Sequence, residues 1–139
     1  MKTLKDFLLA TTLTLLLVAC SGPGPKTSQD PLDGTSWDLF AYRKTTPIDG
    51  TLITAEFIDG MVQGSSGCNS YSGAYKVNGG TIEIGPIAMT EMACMDPGGV
   101  MDQELYYLEF LAAVSRIQFV DDQLQLFDGH EALTFVPAP

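Results

Sequence analysis

Gly64–Gly73 reads GSSGCNSYSG, and what this stretch is taken to be decides what surrounds it. A nucleophile elbow would place it between a strand and a helix of a hydrolase. That requires G-x-S-x-G, and no serine here has glycine on both sides at that spacing. A phosphate loop would require Gly-Lys-Ser/Thr to follow, and it does not. What remains is a corner between strands. Gly64, Gly67 and Gly73 permit positive φ or close backbone approach. Asn69 can hold the turn through the local backbone. Tyr71 can turn its ring inward.

Outward from this corner the chain is punctuated like an antiparallel sheet. Short runs rich in β-branched and aromatic residues lie between turn residues. Alternation predicts strands at Thr35–Tyr42, Leu52–Ile58, Met61–Ser65, Ala74–Val77 and Thr81–Ile84. Trp37 and Leu39 share one face, as do Ile53, Ala55 and Phe57. Asp59-Gly60 and Asn78-Gly79 are hairpin signals. Val100–Val114 carries no turn residue and has helical spacing, with Leu105, Leu108, Leu111 and Ala112 as its apolar positions. Asp102 is its expected N-cap, and Arg116 falls near the other end with the sign the helix dipole favours. Strands at Arg116–Val120, Gln123–Phe127 and Ala132–Val136 follow. Strands, one helix and more strands predict a single small α+β domain, a strongly curved, open barrel-like antiparallel sheet packed on one helix. A groove between sheet and helix would be its natural ligand site.

The first residues read differently. Lys2 and Lys5 precede an apolar run from Phe7 to Val18, closed by Ala19 and Cys20, as in a secretory signal peptide over 1–19. Leu17–Cys20 resembles the lipobox of bacterial lipoproteins. That resemblance implies cleavage before Cys20 and its acylation; with Ser21 next, it implies sorting to the outer membrane, facing the periplasm. Residues 20–33 read as the lipidated cysteine and a Pro/Gly/Ser-rich tether, and 34–139 as the domain. The whole chain carries seven Lys/Arg and seventeen Asp/Glu, for a net charge of −10. Loss of Lys2, Lys5 and Asp6 with the leader leaves five against sixteen, or −11. Such acidity argues against nucleic acid as a partner.

Candidate chemistry is sparse. His130, the one histidine, sits in a polar turn, DGHE, where it reads as a solvated residue rather than a catalytic base. Two scattered domain cysteines and one histidine do not make a zinc site, and DDQLQLFDGHE alternates like a strand rather than a calcium loop. No metal and no cofactor are expected. Glu83, Glu91, Asp96, Glu104 and Glu109 offer carboxylate pairs only as an acidic chain would by accident. With Cys20 acylated, Cys68 and Cys94 remain. In an oxidising compartment an even pair reads as a structural disulfide, a reactive thiol being the rival reading.

With these residues in view, the chain resembles the META domain family, the HslJ-like heat-shock group. The most specific part is G-C-N-x-Y-x-G (Gly67, Cys68, Asn69, Tyr71, Gly73), then T-x-M-A-C (Thr90, Met92, Ala93, Cys94). GTSWDL, MDQELYYLEFL and a closing LTFV extend the likeness over Gly34–Val136. The resemblance implies a curved antiparallel sheet on one helix, with these signature residues structural and no catalytic residue to carry over. It implies a lipid-anchored, non-enzymatic envelope protein, a monomer held to the membrane through acylated Cys20. Its role would be binding or chaperone-like, in stress response, antibiotic tolerance or secretion. An envelope protein, a peptide or a small apolar ligand would be its partner. The alternatives are an inhibitor of an exported hydrolase such as a lysozyme, for which an acidic surface is suited, and a hydrolase or thiol enzyme using His130.

Overall fold

The computed structural model describes residues 30–139; the expected signal peptide, Cys20 and most of the tether lie outside them. Nine strands and one helix follow in chain order: β1 Thr35–Ala41, β2 Thr54–Ile58, β3 Met61–Ser65, β4 Ser70–Asn78, β5 Thr81–Ile84, β6 Ala88–Met89, α1 Val100–Ala113, β7 Arg116–Val120, β8 Gln123–Phe127 and β9 Ala132–Pro137. Every pairing is antiparallel. The sheet runs β3-β2-β1-β9-β8-β7-β5-β4-β6, and a further β3–β4 pairing bends it into a ring with β6 on its flank. The expected α+β domain, one helix on a strongly curved antiparallel sheet, is the fold observed. Closure leaves few open edges to template pairing with other chains.

Alternation along each strand sends one set of side chains inward. Trp37 and Leu39, Ala55 and Phe57, Val62, Tyr71 and Tyr75, Ile82 and Ile84, Ile117, Leu124 and Leu126, Leu133 and Phe135 join one buried core. Asp59 and Gly60 both have positive φ, the conformation a two-residue hairpin turn needs.

Five differences from the sequence reading matter. β4 begins at Ser70 rather than Ala74, and Ser65 pairs with Ser70, so the corner narrows to Ser66–Asn69. Glycine had masked the strand: β4 runs through Gly73, where an added Cβ would press on Ile87 and the Pro86 carbonyl. Second, α1 buries Val100, Gln103, Glu104, Tyr107, Leu108, Phe110 and Leu111, while Leu105 and Ala112 are exposed. Two polar residues thus take core positions, which displaces the buried stripe from the one the leucines suggest. Third, the helix is preceded by Gly99 in the left-handed region, with no side-chain cap; Asp102 lies in the first turn, and Arg116 belongs to β7, its guanidinium over the Phe127 ring. Fourth, the space between sheet and helix is filled rather than grooved. Tyr107, Leu108 and Leu111 pack in the same cluster as Phe57, Leu124 and Phe135. Residues 30–33, read as tether, are also folded in: Leu32 is fully buried, and its N–H donates to the Asp30 carboxylate.

Candidate functional site

The signature corner is built around a carboxylate. Glu104 sits on the inner face of α1, 1% exposed, beside the Ser66–Asn69 loop. Its Oε2 accepts from the Ser66 hydroxyl at 2.6 Å and from the Asn69 N–H at 2.7 Å, with the Cys68 N–H at 3.3 Å. Its Oε1 accepts from the Asn69 side-chain amide at 2.7 Å. Burial opposes the charge, but these four donors outweigh it and hold the carboxyl below its usual range.

Asn69 is the hub. Its amide also donates to the Met92 carbonyl, while its Oδ1 accepts from the Met92 N–H at 2.7 Å and the Thr90 hydroxyl at 2.8 Å. All four bonding positions of the side chain are filled. The expected role, a local turn-holder, is therefore too small: Asn69 fastens the corner both to the helix and to the 90–92 segment. The disulfide Cys68–Cys94 adds a covalent tie between the same two segments, with Cα atoms 5.9 Å apart.

Gly67 and Gly64 are required here for different reasons. Gly67 has φ +112°, and an added Cβ would come within 3.3 Å of the Gln103 amide. A Cβ on Gly64 would collide with the Thr54 carbonyl. Gly67→Ala is expected to cost about 1–2 kcal/mol, read from the urea midpoint with the slope unchanged.

Tyr71 turns inward as expected. Its hydroxyl donates to the Thr54 carbonyl at 2.9 Å and lies 2.7 Å from the Tyr107 hydroxyl. The single Tyr71 proton is committed to Thr54, so Tyr107 is the donor in that pair. Burial pushes both phenols upward. Next to Glu104, Gln103 accepts from the Ile48 N–H and the Tyr42 hydroxyl and donates to Thr51, which pins the 42–51 connection to the helix. Two consecutive polar residues on α1 therefore each hold down one loop. Sequence reasoning missed both. The available signal was their i, i+4 relation to Val100, Tyr107 and Leu108.

A second place has the marks of a binding surface. The turn Tyr42–Thr45 closes with reciprocal backbone bonds of 2.9 and 2.8 Å, and its two central residues, Arg43 and Lys44, have φ of 45° and 61°. Asn-Gly is the ordinary choice at such positions; a left-handed Arg or Lys costs on the order of 1 kcal/mol. The Arg43 guanidinium lies 3.8 Å over the Tyr106 ring, and its Nε is 3.9 Å from the Glu131 carboxylate. Between this turn and the β8–β9 turn opens a cavity of about 540 Å³. Arg43, Lys44, His130 and Glu131 form its polar rim, and Ala41, Phe127 and Ala132 its apolar wall. The two cations are among the five that the acidic chain carries beyond residue 19.

The other expected residues are placed as follows. His130 is exposed, its N–H donating to the Asp128 carboxylate. Cys68 and Cys94 are joined, so neither is a free thiol. Among the described residues, no group of three or more His, Cys, Asp or Glu is arranged to hold a metal ion.

A ring-like sheet packed on one helix, its corner knotted on a buried glutamate, defines a class of small α+β domain. The chain belongs to the META domain family, whose model matches residues 30–139. A protein from Burkholderia xenovorans, solved by NMR, is similar at 33% identity and a TM-score of 0.63, over 77% of this chain and 83% of that one. A second NMR structure is similar at 24% identity and a TM-score of 0.63, over 76% of this chain and 91% of the other, and shares the fold. No curated protein matches the chain.

Proposed function

We propose that this chain is a lipid-anchored, non-enzymatic envelope protein. It acts as a binding or chaperone-like module in stress response, antibiotic tolerance or secretion. The observation that carries the reading is a division of labour. The residues of the signature corner, Gly67, Cys68, Asn69 and Tyr71, are spent on structure, while strained, cationic Arg43-Lys44 border an open cavity away from that knot. Strained backbone gathers at functional sites. The cavity suits a partner presenting an acidic group beside an apolar one. The sheet–helix interface, by contrast, is packed. Anchoring would come from acylated Cys20, at the outer membrane facing the periplasm, with the domain a monomer. An acidic surface also suits an inhibitor of a basic exported hydrolase such as a lysozyme.

Lys44→Gly tests the division directly. It is expected to raise stability by about 0.5–1 kcal/mol, since glycine takes this φ without strain, while weakening capture of envelope components by the mature chain. Unchanged capture would take the binding surface away from this turn. Cys20→Ala is expected to move the chain from the membrane to the soluble fraction and to abolish incorporation of labelled palmitate; retention at the membrane would contradict anchoring through Cys20. A turbidity assay of lysozyme activity, with and without the domain, separates the inhibitor reading.

A further inference from the structure

Four of the six methionines, Met89, Met92, Met95 and Met101, fall between β6 and the first turn of α1. All four are exposed, Met92 by 56% and Met95 by 88%. Burial in the core therefore does not explain them. Met101 reaches back from the helix: its Sδ lies 3.4 Å from the Cys94 backbone nitrogen. That puts its sulfur one residue from Met95 and two from Met92 along the chain. The Asn69 bonds to Met92 and the Cys68–Cys94 bridge hold this loop in place, so the three thioethers hang from a fixed frame. Glu91, Asp96 and Asp102 lie in the same stretch, and no Lys or Arg does. An exposed apolar cluster set among carboxylates is a poor docking face for an anionic surface and a good one for a cation.

We propose that Met92, Met95 and Met101 form a site for a soft monovalent cation, Cu(I), with Ag(I) as its redox-inert substitute. Thioether sulfur selects Cu(I) over zinc and the hard cations, which take His, Cys, Asp and Glu as ligands. Thioether side chains are unbranched, with three rotatable bonds, which suits neighbouring methionines to reach for a shared ion. The Met101 sulfur accepts the Cys94 N–H through one lone pair and keeps another for a metal. Met89, on β6 opposite Tyr71, stands outside the set. Binding involves no electron transfer and leaves the disulfide intact. This site is separate from the Arg43–Lys44 cavity and does not rest on it.

Residues 30–139 close their own core, so the test uses residues 20–139 with Cys20→Ser, which removes the remaining thiol. Ag(I) is titrated while methionine methyl NMR signals are followed, and Cu(I) affinity is read anaerobically by competition with a chromophoric chelator. One equivalent is expected to bind and to shift the methyls of Met92, Met95 and Met101, with Zn(II) inert. Met95→Leu, at the most exposed position, should leave the urea midpoint unchanged and weaken binding by about tenfold or more. Met61→Leu, on β3, should change nothing. No saturable binding, or wild-type affinity kept in Met95→Leu or in the triple Met92→Leu/Met95→Leu/Met101→Leu chain, would overturn the site.

Discussion

Glu104→Gln is expected to lower the unfolding free energy by about 3 kcal/mol, with the fold retained at low denaturant. Size is not the cause, because glutamine fills nearly the same volume. The carboxylate takes four donors, from Ser66, Cys68 and twice from Asn69. Glutamine turns one oxygen into an NH₂ group that faces donors, so at least one buried N–H or O–H loses its acceptor. Each such loss costs about 1–3 kcal/mol, and a hydrogen bond to a charged acceptor is worth more than a neutral one. The sign of the pH dependence follows from the same bonds. Glu104 is held below its ordinary value of 4.5, so its contribution is fully present above that value and is lost as pH falls through the lower folded value. Unfolding measured from pH 6 to pH 3 should show the wild-type chain losing stability faster than Glu104→Gln. Parallel curves would mean that the carboxylate gains nothing from its donors.

The second large effect is the disulfide. Cys68→Ser/Cys94→Ser opens a loop spanning 26 positions, and the chain-entropy relation gives a loss of about 3.5 kcal/mol. Asn69 still bridges the same segments through Met92 and Thr90, so the corner should keep its shape in the native state. The loss should then appear as a lower urea midpoint with a folded baseline like that of the wild type. Thiol titration of the unreduced wild-type domain should find neither Cys68 nor Cys94 reactive. A fast-reacting thiol there would restore the enzyme reading. Because Cys68 also donates to Glu104, combining the two changes should depart from additivity.

The ring sheet was legible because its signals are local. Alternation at Trp37/Leu39 and Ala55/Phe57, and turn chemistry at Asp59-Gly60, act over a few residues and point the same way. The signature corner was legible as structure by elimination and by family likeness. Its mechanism was not. Glu104 read as one more carboxylate of an acidic chain, because sequence shows charge but not burial. Its donors come from 35 to 38 positions away, and three of the four bonds involve backbone groups or the side chain of Asn69 and Cys68. Gln103 was hidden for the same reason. Leu105 misled in the opposite direction: an exposed leucine beside Met101 carries the right residue type on the wrong face. The Arg43-Lys44 turn gave no signal, because neither residue is a normal occupant of left-handed backbone and only the fold imposes it.

The account stands on the signature corner, Ser66–Asn69, being a structural clamp on a charged, buried glutamate rather than a site of chemistry. Direct titration of the Glu104 side-chain carboxyl by carbon NMR tests it, with the Asn69 amide signals followed in the same samples. The clamp predicts a midpoint below 4.5 and Asn69 signals that move with it. A Glu104 midpoint raised toward neutrality, as an acid–base catalyst would have, with Asn69 indifferent to it, would contradict the claim.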